Sequence, residues 1–128
     1  MTPVEQQLEA LRSRFTGAEL VPAPSVVGVI VIPGVKLPAG WNQPATNVKF
    51  IVPAGFPLAA LDCFWTSPDL RLLSGALPQN AQIQDPPPTI PGGGPHLWFS
   101  WHVASWNPGR DTLLTYMRVI QDRFRELR

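Results

Sequence analysis

The segment WFSWHVASWNPGRD, Trp98 to Asp111, crowds three tryptophans, two serines, a histidine and an aspartate into one short run. A hydroxyl, an imidazole and a carboxylate are the parts of a nucleophile, its base and an orienting acid. If Leu97 to Val103 is extended, its side chains alternate. Leu97, Phe99, Trp101 and Val103 then form a core face, and His96, Trp98, Ser100 and His102 form a mixed, polar one. Ser100 and His102 are neighbours on that second face and become the candidate catalytic pair. Asp111 suits the start of a helix better than the third place of a triad. The other readings of His102 are a structural role and a contact with a partner. Trp106 belongs to a Trp-Asn-Pro-Gly corner and reads as a packing side chain between sheet and final helix, with partner binding as its other reading.

Other reactive groups are few. Cys63 is the only thiol of the chain. In a strand from Leu58 to Thr66 it shares a face with Leu61 and Trp65, which predicts a core thiol with a raised pKa and little thiolate. His96 and His102 are the only histidines, and no second Cys or acidic cluster lies near them. A metal site is not expected, and no cofactor is implied.

The elements that position these residues follow from periodicity. Residues 2–15 predict an amphipathic helix: Thr2 and Glu5 have capping-box spacing, Pro3 suits the first turn, and Val4, Leu8, Leu11 and Phe15 share a face. Gly17 ends it. VVGVIVI (Val26 to Ile32) is apolar on both faces, as in a strand covered on both sides, and Pro33-Gly34 is expected to break it. Asn47 to Val52 alternates, with Val48, Phe50 and Val52 on one face. Residues 74–95, rich in Pro, Gly, Gln and Asn, read as a long irregular loop. Asp111 is the expected cap of a last helix, with Leu113, Met117, Ile120, Phe124 and Leu127 facing the sheet and Arg123, Arg125 and Arg128 solvated at its end.

The whole, residues 1–128, predicts one α+β domain: an N-terminal helix, an antiparallel four-strand meander, the loop and a C-terminal helix. Sixteen prolines in 128 residues favour short strands and rigid loops, while the interleaved Val, Ile, Phe and Trp argue against disorder. A net charge of +1, with basic residues gathered only in the last turns, excludes a nucleic-acid partner. No run of eighteen apolar residues is present, so no membrane span is expected. No secretory signal begins the chain and one Cys allows no disulfide framework, so the expected compartment is the cytoplasm.

The order of these pieces resembles the ubiquitin-conjugating (E2, UBC) fold. Phe56-Pro57 is similar to that family's Tyr-Pro turn, FWTSPDL (Phe64 to Leu70) to the segment carrying its His-Pro-Asn, and WNPGRDTL to its Trp-Ser-Pro before a helix. DCFWTSPDLRLLSG, with WFSWH and WNPGRDTLLTYM, resembles the prokaryotic E2-like group called family E. The resemblance implies a ubiquitin-like protein and an E1-like adenylating enzyme as partners, with a JAB-type peptidase in the same pathway. It also exposes departures. The positions where a conventional E2 carries its acceptor cysteine correspond to Trp98 or Leu77. Asp69 stands where that family's Asn supplies an oxyanion donor, and an ionised carboxylate would repel the charge it should stabilise. Trp98, Trp106 and Asp69 are therefore expected to bind rather than react. Two mechanisms fit the resemblance: a silent adaptor that positions the ubiquitin-like tail, and a transferase built on His102 with a hydroxyl such as Ser100 or Ser105. The competing reading is an interaction module or structural subunit unrelated to ubiquitin.

Overall fold

A computed structural model describes residues 2–128. Helix α1 (Pro3–Arg14) starts where expected: the Thr2 hydroxyl accepts the Glu5 amide and Pro3 occupies the first turn. Beyond it, Gly17 takes a positive φ of 91°, a conformation open to glycine at little cost. Strands β1 (Glu19–Val21), β2 (Val26–Lys36), β3 (Ala45–Pro53) and β4 (Phe64–Thr66) form the antiparallel meander. Strands β5 (Ala81–Gln84) and β6 (His96–Phe99) add a hairpin whose second strand pairs with β4, giving the order β1-β2-β3-β4-β6-β5. Helix α2 (Leu113–Arg125) closes the fold.

Strand alternation sends two sets of side chains to opposite faces. Ile30, Ile32, Val48, Phe50, Val52, Phe64, Leu97 and Phe99 meet Leu8 and Leu11 of α1 and Leu113, Tyr116, Met117, Ile120 and Phe124 of α2. Val29, Trp65 and Ile90 form a small cluster on the other face, with Val31, Ile51, Cys63 and Trp98 packed at its margin. The expectation that the β2 segment is covered on both sides therefore holds, and its second cover comes from the loop that carries Ile90.

Several local expectations are corrected. Pro33-Gly34 does not end β2; the chain passes through a register shift between Ile32 and Val35, with the Gly34 amide donating to the Asn47 side chain. The bulge absorbs the missing proline donor without ending the strand. Leu58 to Thr66 is not one strand. Its first part turns, with the Ala59 amide bonded to the Gly55 carbonyl, and Leu61 and Phe64, three apart, enter the same core. The cap of α2 is Thr112, in a reciprocal capping box with Thr115, not Asp111. Leu127 lies past the helix and is exposed. Arg123 is not solvated. It is fully buried, donates to the backbone carbonyls of Gln79, Glu126 and Arg128, and lies over the Phe99 and Trp101 rings. Three carbonyl acceptors make that burial tolerable for a guanidinium. Finally, β5 forms inside the segment read as an irregular loop, because its backbone completes the open edge of β6.

Candidate functional site

The Trp98–Asp111 segment divides as alternation predicts, although the strand stops at Phe99. Leu97 and Phe99 are buried in the helix-side core, and Trp101 and Val103 pack at its margin. His96 and Trp98 lie with the opposite face, and Ser100 and His102 are exposed.

Pairing β4 with β6 sets Phe64 opposite Phe99 and Trp65 opposite Trp98. Continuing beyond both strands, this brings the 61–63 segment beside 100–102. His102 Nδ1 lies 3.9 Å from Asp62 Oδ1, with side chains 66% and 83% exposed. The two segments are fastened from below by Tyr116. Its hydroxyl lies 2.9 Å from the Asp62 carbonyl and 2.7 Å from the Trp101 carbonyl, sharing one proton between them. Burial, then the neighbouring Cys63 and Asp62, push the Tyr116 pKa far up, so the phenol stays a neutral donor.

Cys63, next in the chain, is half-buried toward the second face. Burial pushes its thiol pKa up; the Trp98 side chain pulls the other way, and the Asp62 charge adds to the rise. The expected suppression of thiolate is present, but the place differs: the thiol sits at the rim of the small cluster, not in the main core. Leu61, expected on its face, points to the helix side.

The remaining candidates are dispersed. No hydrogen bond links Ser100 to His102 among the described residues; the Ser100 amide donates to the Asn80 carbonyl, and Ser100 shares an open depression with Trp98, Gln82 and Asn80. Asp111 is buried and accepts the Asn107 amide at 2.8 Å, with Arg110 3.6 Å away, so it braces the corner before α2 and does not orient His102. The Trp106 indole donates to the Pro57 carbonyl at 2.7 Å and its ring lies 5.9 Å from Phe56. It clasps the Phe-Pro turn to the Trp-Asn-Pro-Gly corner. Asp69 is exposed, and its carbonyl accepts the Asn42 side chain, whose oxygen in turn takes the Arg71 amide.

Asp62 and Tyr116 were not singled out from sequence. Asp62 is forty residues from His102, and only the β4–β6 register joins them. A third group missed is Lys49, whose ammonium lies 3.0 Å from His96 Nε2 and 2.7 Å from the Pro91 carbonyl. Among the described residues, no three His, Cys, Asp or Glu side chains gather as metal ligands, and no helix is long and apolar enough to cross a membrane.

Two helices on one face of an antiparallel meander, with a Phe-Pro turn after its third strand and a Trp-Asn-Pro-Gly corner before the last helix, define a UBC-like α+β protein. The chain belongs to prokaryotic E2 family E, whose family model matches residues 4–126. That membership assigns it to the E2-like proteins of ubiquitin-like conjugation, whose partners in general are ubiquitin-like proteins and E1 enzymes. No curated protein and no solved structure gives a significant match.

Proposed function

We propose that this protein is a noncanonical E2-like component that binds a ubiquitin-like protein, an E1-like adenylating enzyme, or both, and positions the ubiquitin-like tail without a cysteine thioester. The single observation carrying this reading is the state of Cys63, a half-buried thiol whose pKa burial raises. A thioester carrier needs the opposite, an accessible sulfur with appreciable thiolate. The positions matching a conventional acceptor cysteine support the same reading, since they hold Trp98, half-buried in β6, and Leu77, an exposed leucine. Trp98, Trp106 and Asp69 then act as contact and bracing residues.

The test is co-purification of the chain with a ubiquitin-like protein and an E1-like adenylating enzyme from the same organism. Complex formation at micromolar concentration, with no covalent adduct after adding ATP, is the expected result. Failure of both proteins to bind would return the chain to the class of ubiquitin-unrelated interaction modules.

The Asp62–His102 pair favours a second reading, acyl transfer without a thiol. His102 would take the proton of a hydroxyl as its oxygen attacks the acyl carbon of a tail delivered as an activated ester by the E1-like enzyme, whose thiolate or adenylate leaves, with Asp62 steadying the imidazolium; Ser100 and Ser105 are the nearby hydroxyls in sequence. An adduct that survives Cys63→Ala and disappears in His102→Ala would establish this reading. One that disappears in Cys63→Ala would remove both.

A further inference from the structure

Away from His102, the face of the sheet opposite the helices holds a cavity of about 270 Å³, walled in part by Trp65 to Pro68 of the segment that resembles the E2 His-Pro-Asn stretch. Lys49 and His96 are in its wall, with Trp65, Ser67, Gly92 and Pro95. Its size is near the lower end of ligand pockets, roughly 300–1,000 Å³, so it suits a small group and not a nucleotide.

The charge in this cavity is unbalanced. Lys49 forms no ion pair among the described residues, and no Asp or Glu lines the cavity. Its ammonium spends two donors, on the Pro91 carbonyl and on His96 Nε2. An ammonium has three, so one remains. His96 is oriented from behind, with Nδ1 3.0 Å from the Gly94 carbonyl. That contact fits a proton on Nδ1, leaving Nε2 to accept from Lys49. Burial lowers the Lys49 pKa, which is the cost of holding the charge there without a counter-charge.

The loop is shaped around this lysine. Gly92, Gly93 and Gly94 all have positive φ, 104°, 57° and 70°. A Cβ on Gly92 would stand 2.8 Å from Lys49 Nζ. Trp65 completes the wall, and its buried indole N–H has no acceptor. A lysine held by a glycine loop, braced by a histidine and left with one donor to spare is the arrangement of an anion site.

We propose that this cavity binds a carboxylate through Lys49. One fixed positive charge matches a monoanion, whereas a phosphate dianion would bring an uncompensated charge into a half-enclosed site. The neutral donors of Asn47 and Ser67 border the cavity and suit the remaining carboxylate lone pairs. The carboxylate has two sources, a small free acid and the C-terminus of a peptide.

The experiment is an NMR titration of the full chain with acetate, with the capped dipeptide acetyl-Gly-Gly and with inorganic phosphate. It follows the His96 ring and the Trp65 indole N–H, the latter assigned by Trp65→Phe. Saturable shifts of both groups with at least one carboxylate are expected, in the millimolar range, about 1–10 mM, for so small a ligand. Tighter binding of acetyl-Gly-Gly identifies a peptide terminus as the source, and equal or tighter binding of acetate identifies a small acid. Lys49→Met retains most of the stem and should weaken binding at least tenfold, with Lys49→Arg recovering part of it. Gly92→Ala, which crowds Nζ and strains the loop backbone while keeping the charge, should weaken it too, and recovery in Lys49→Arg separates loss of the charge from a folding defect in the Met variant. Absence of saturable shifts, undiminished binding in both Lys49→Met and Gly92→Ala, or a preference for phosphate over both carboxylates would overturn the proposal. None of these outcomes depends on whether the chain binds a ubiquitin-like protein.

Discussion

The two faces of one sheet are built from alternate residues of the same strands, yet they do different work. The face under α1 and α2 holds closely packed aromatic rings: Phe64 stacks on Phe99 at 4.6 Å, and Phe124 and Tyr116 approach edge-on. The opposite face has three fully packed apolar residues and is covered by a loop, with Cys63, Lys49 and His96 among them. Side chains locked into a dense core lose the freedom to meet a ligand. A face covered by a loop can keep a charged lysine and an open cavity. Stability therefore resides mainly on one side, and the chemistry that family membership does not explain resides on the other.

That division predicts a ranking of mutational costs. Phe64→Ala removes a ring at the centre of the helix side and should cost about 3–5 kcal/mol, read as a fall in the urea midpoint. A cost equal to that of a surface substitution would break the comparison at its strong end. Arg123→Met should cost about 2–3 kcal/mol, since it strips charged donors from three carbonyls and leaves them under-satisfied. Ile90→Ala, on the loop-covered face, should cost about 2 kcal/mol, the low end for a buried Ile, because the loop can settle into the space. If Ile90 proved as costly as Phe64, the second face would be a core in its own right.

What could be read in the sequence was what depends on neighbours along the chain. Thr2, Pro3 and Gly17 delimit α1 through local backbone chemistry. Val48, Phe50 and Val52 reveal β3 by alternation, and Leu113, Met117, Ile120 and Phe124 reveal the buried stripe of α2. The split of Leu97 and Phe99 from His96 and Trp98 followed from the same period. Residues joined only by register were not legible: Asp62 with His102, and Lys49 with His96. Arg123 misled because a basic residue in a last helical turn satisfies the dipole whether or not it is solvated; one of its three acceptors, the Gln79 carbonyl, lies 44 residues away, and the chain after α2 folds back to supply the other two. Ala81 to Gln84 alternates for only four residues, too few to stand out among the prolines and glutamines around them, and Ile83 is exposed, since an edge strand with one neighbour needs backbone pairing more than side-chain burial. The UBC-like order and family resemblance were visible in the Phe-Pro turn and the Trp-Asn-Pro-Gly corner, whereas the cavity was not.

Tyr116 connects the two sides, since it is buried in the helix-side core and fastens the Asp62 and Trp101 carbonyls beside His102. Tyr116→Phe keeps the ring and loses one shared hydrogen bond. It should cost about 1 kcal/mol and increase backbone motion at 62 and 101, measurable as faster amide exchange there. Unchanged exchange at both segments would mean that strand pairing alone holds the Asp62–His102 geometry.

Cys63 provides the smallest and most selective test, because it moves reactivity and pH dependence with little change in packing. The ordinary thiol pKa is about 8.5, and burial raises that of Cys63 above the unfolded value. The folded chain therefore holds this proton more tightly than the unfolded chain. Between the two pKa values the unfolded state carries fewer protons, so the slope of unfolding free energy with pH is negative. The stabilisation from this group is complete below the unfolded pKa and declines as pH rises toward the folded one. Two measurements follow. Alkylation of the native protein should stay slow through neutral pH, with a midpoint above that of the same cysteine in urea. The alkaline fall in stability should be smaller in Cys63→Ala than in the native chain. A native alkylation midpoint below the urea value would show an activated thiol. It would move the reactive centre from the exposed His102 side to the loop-covered face and reverse the comparison between Cys63 and a conventional E2 cysteine.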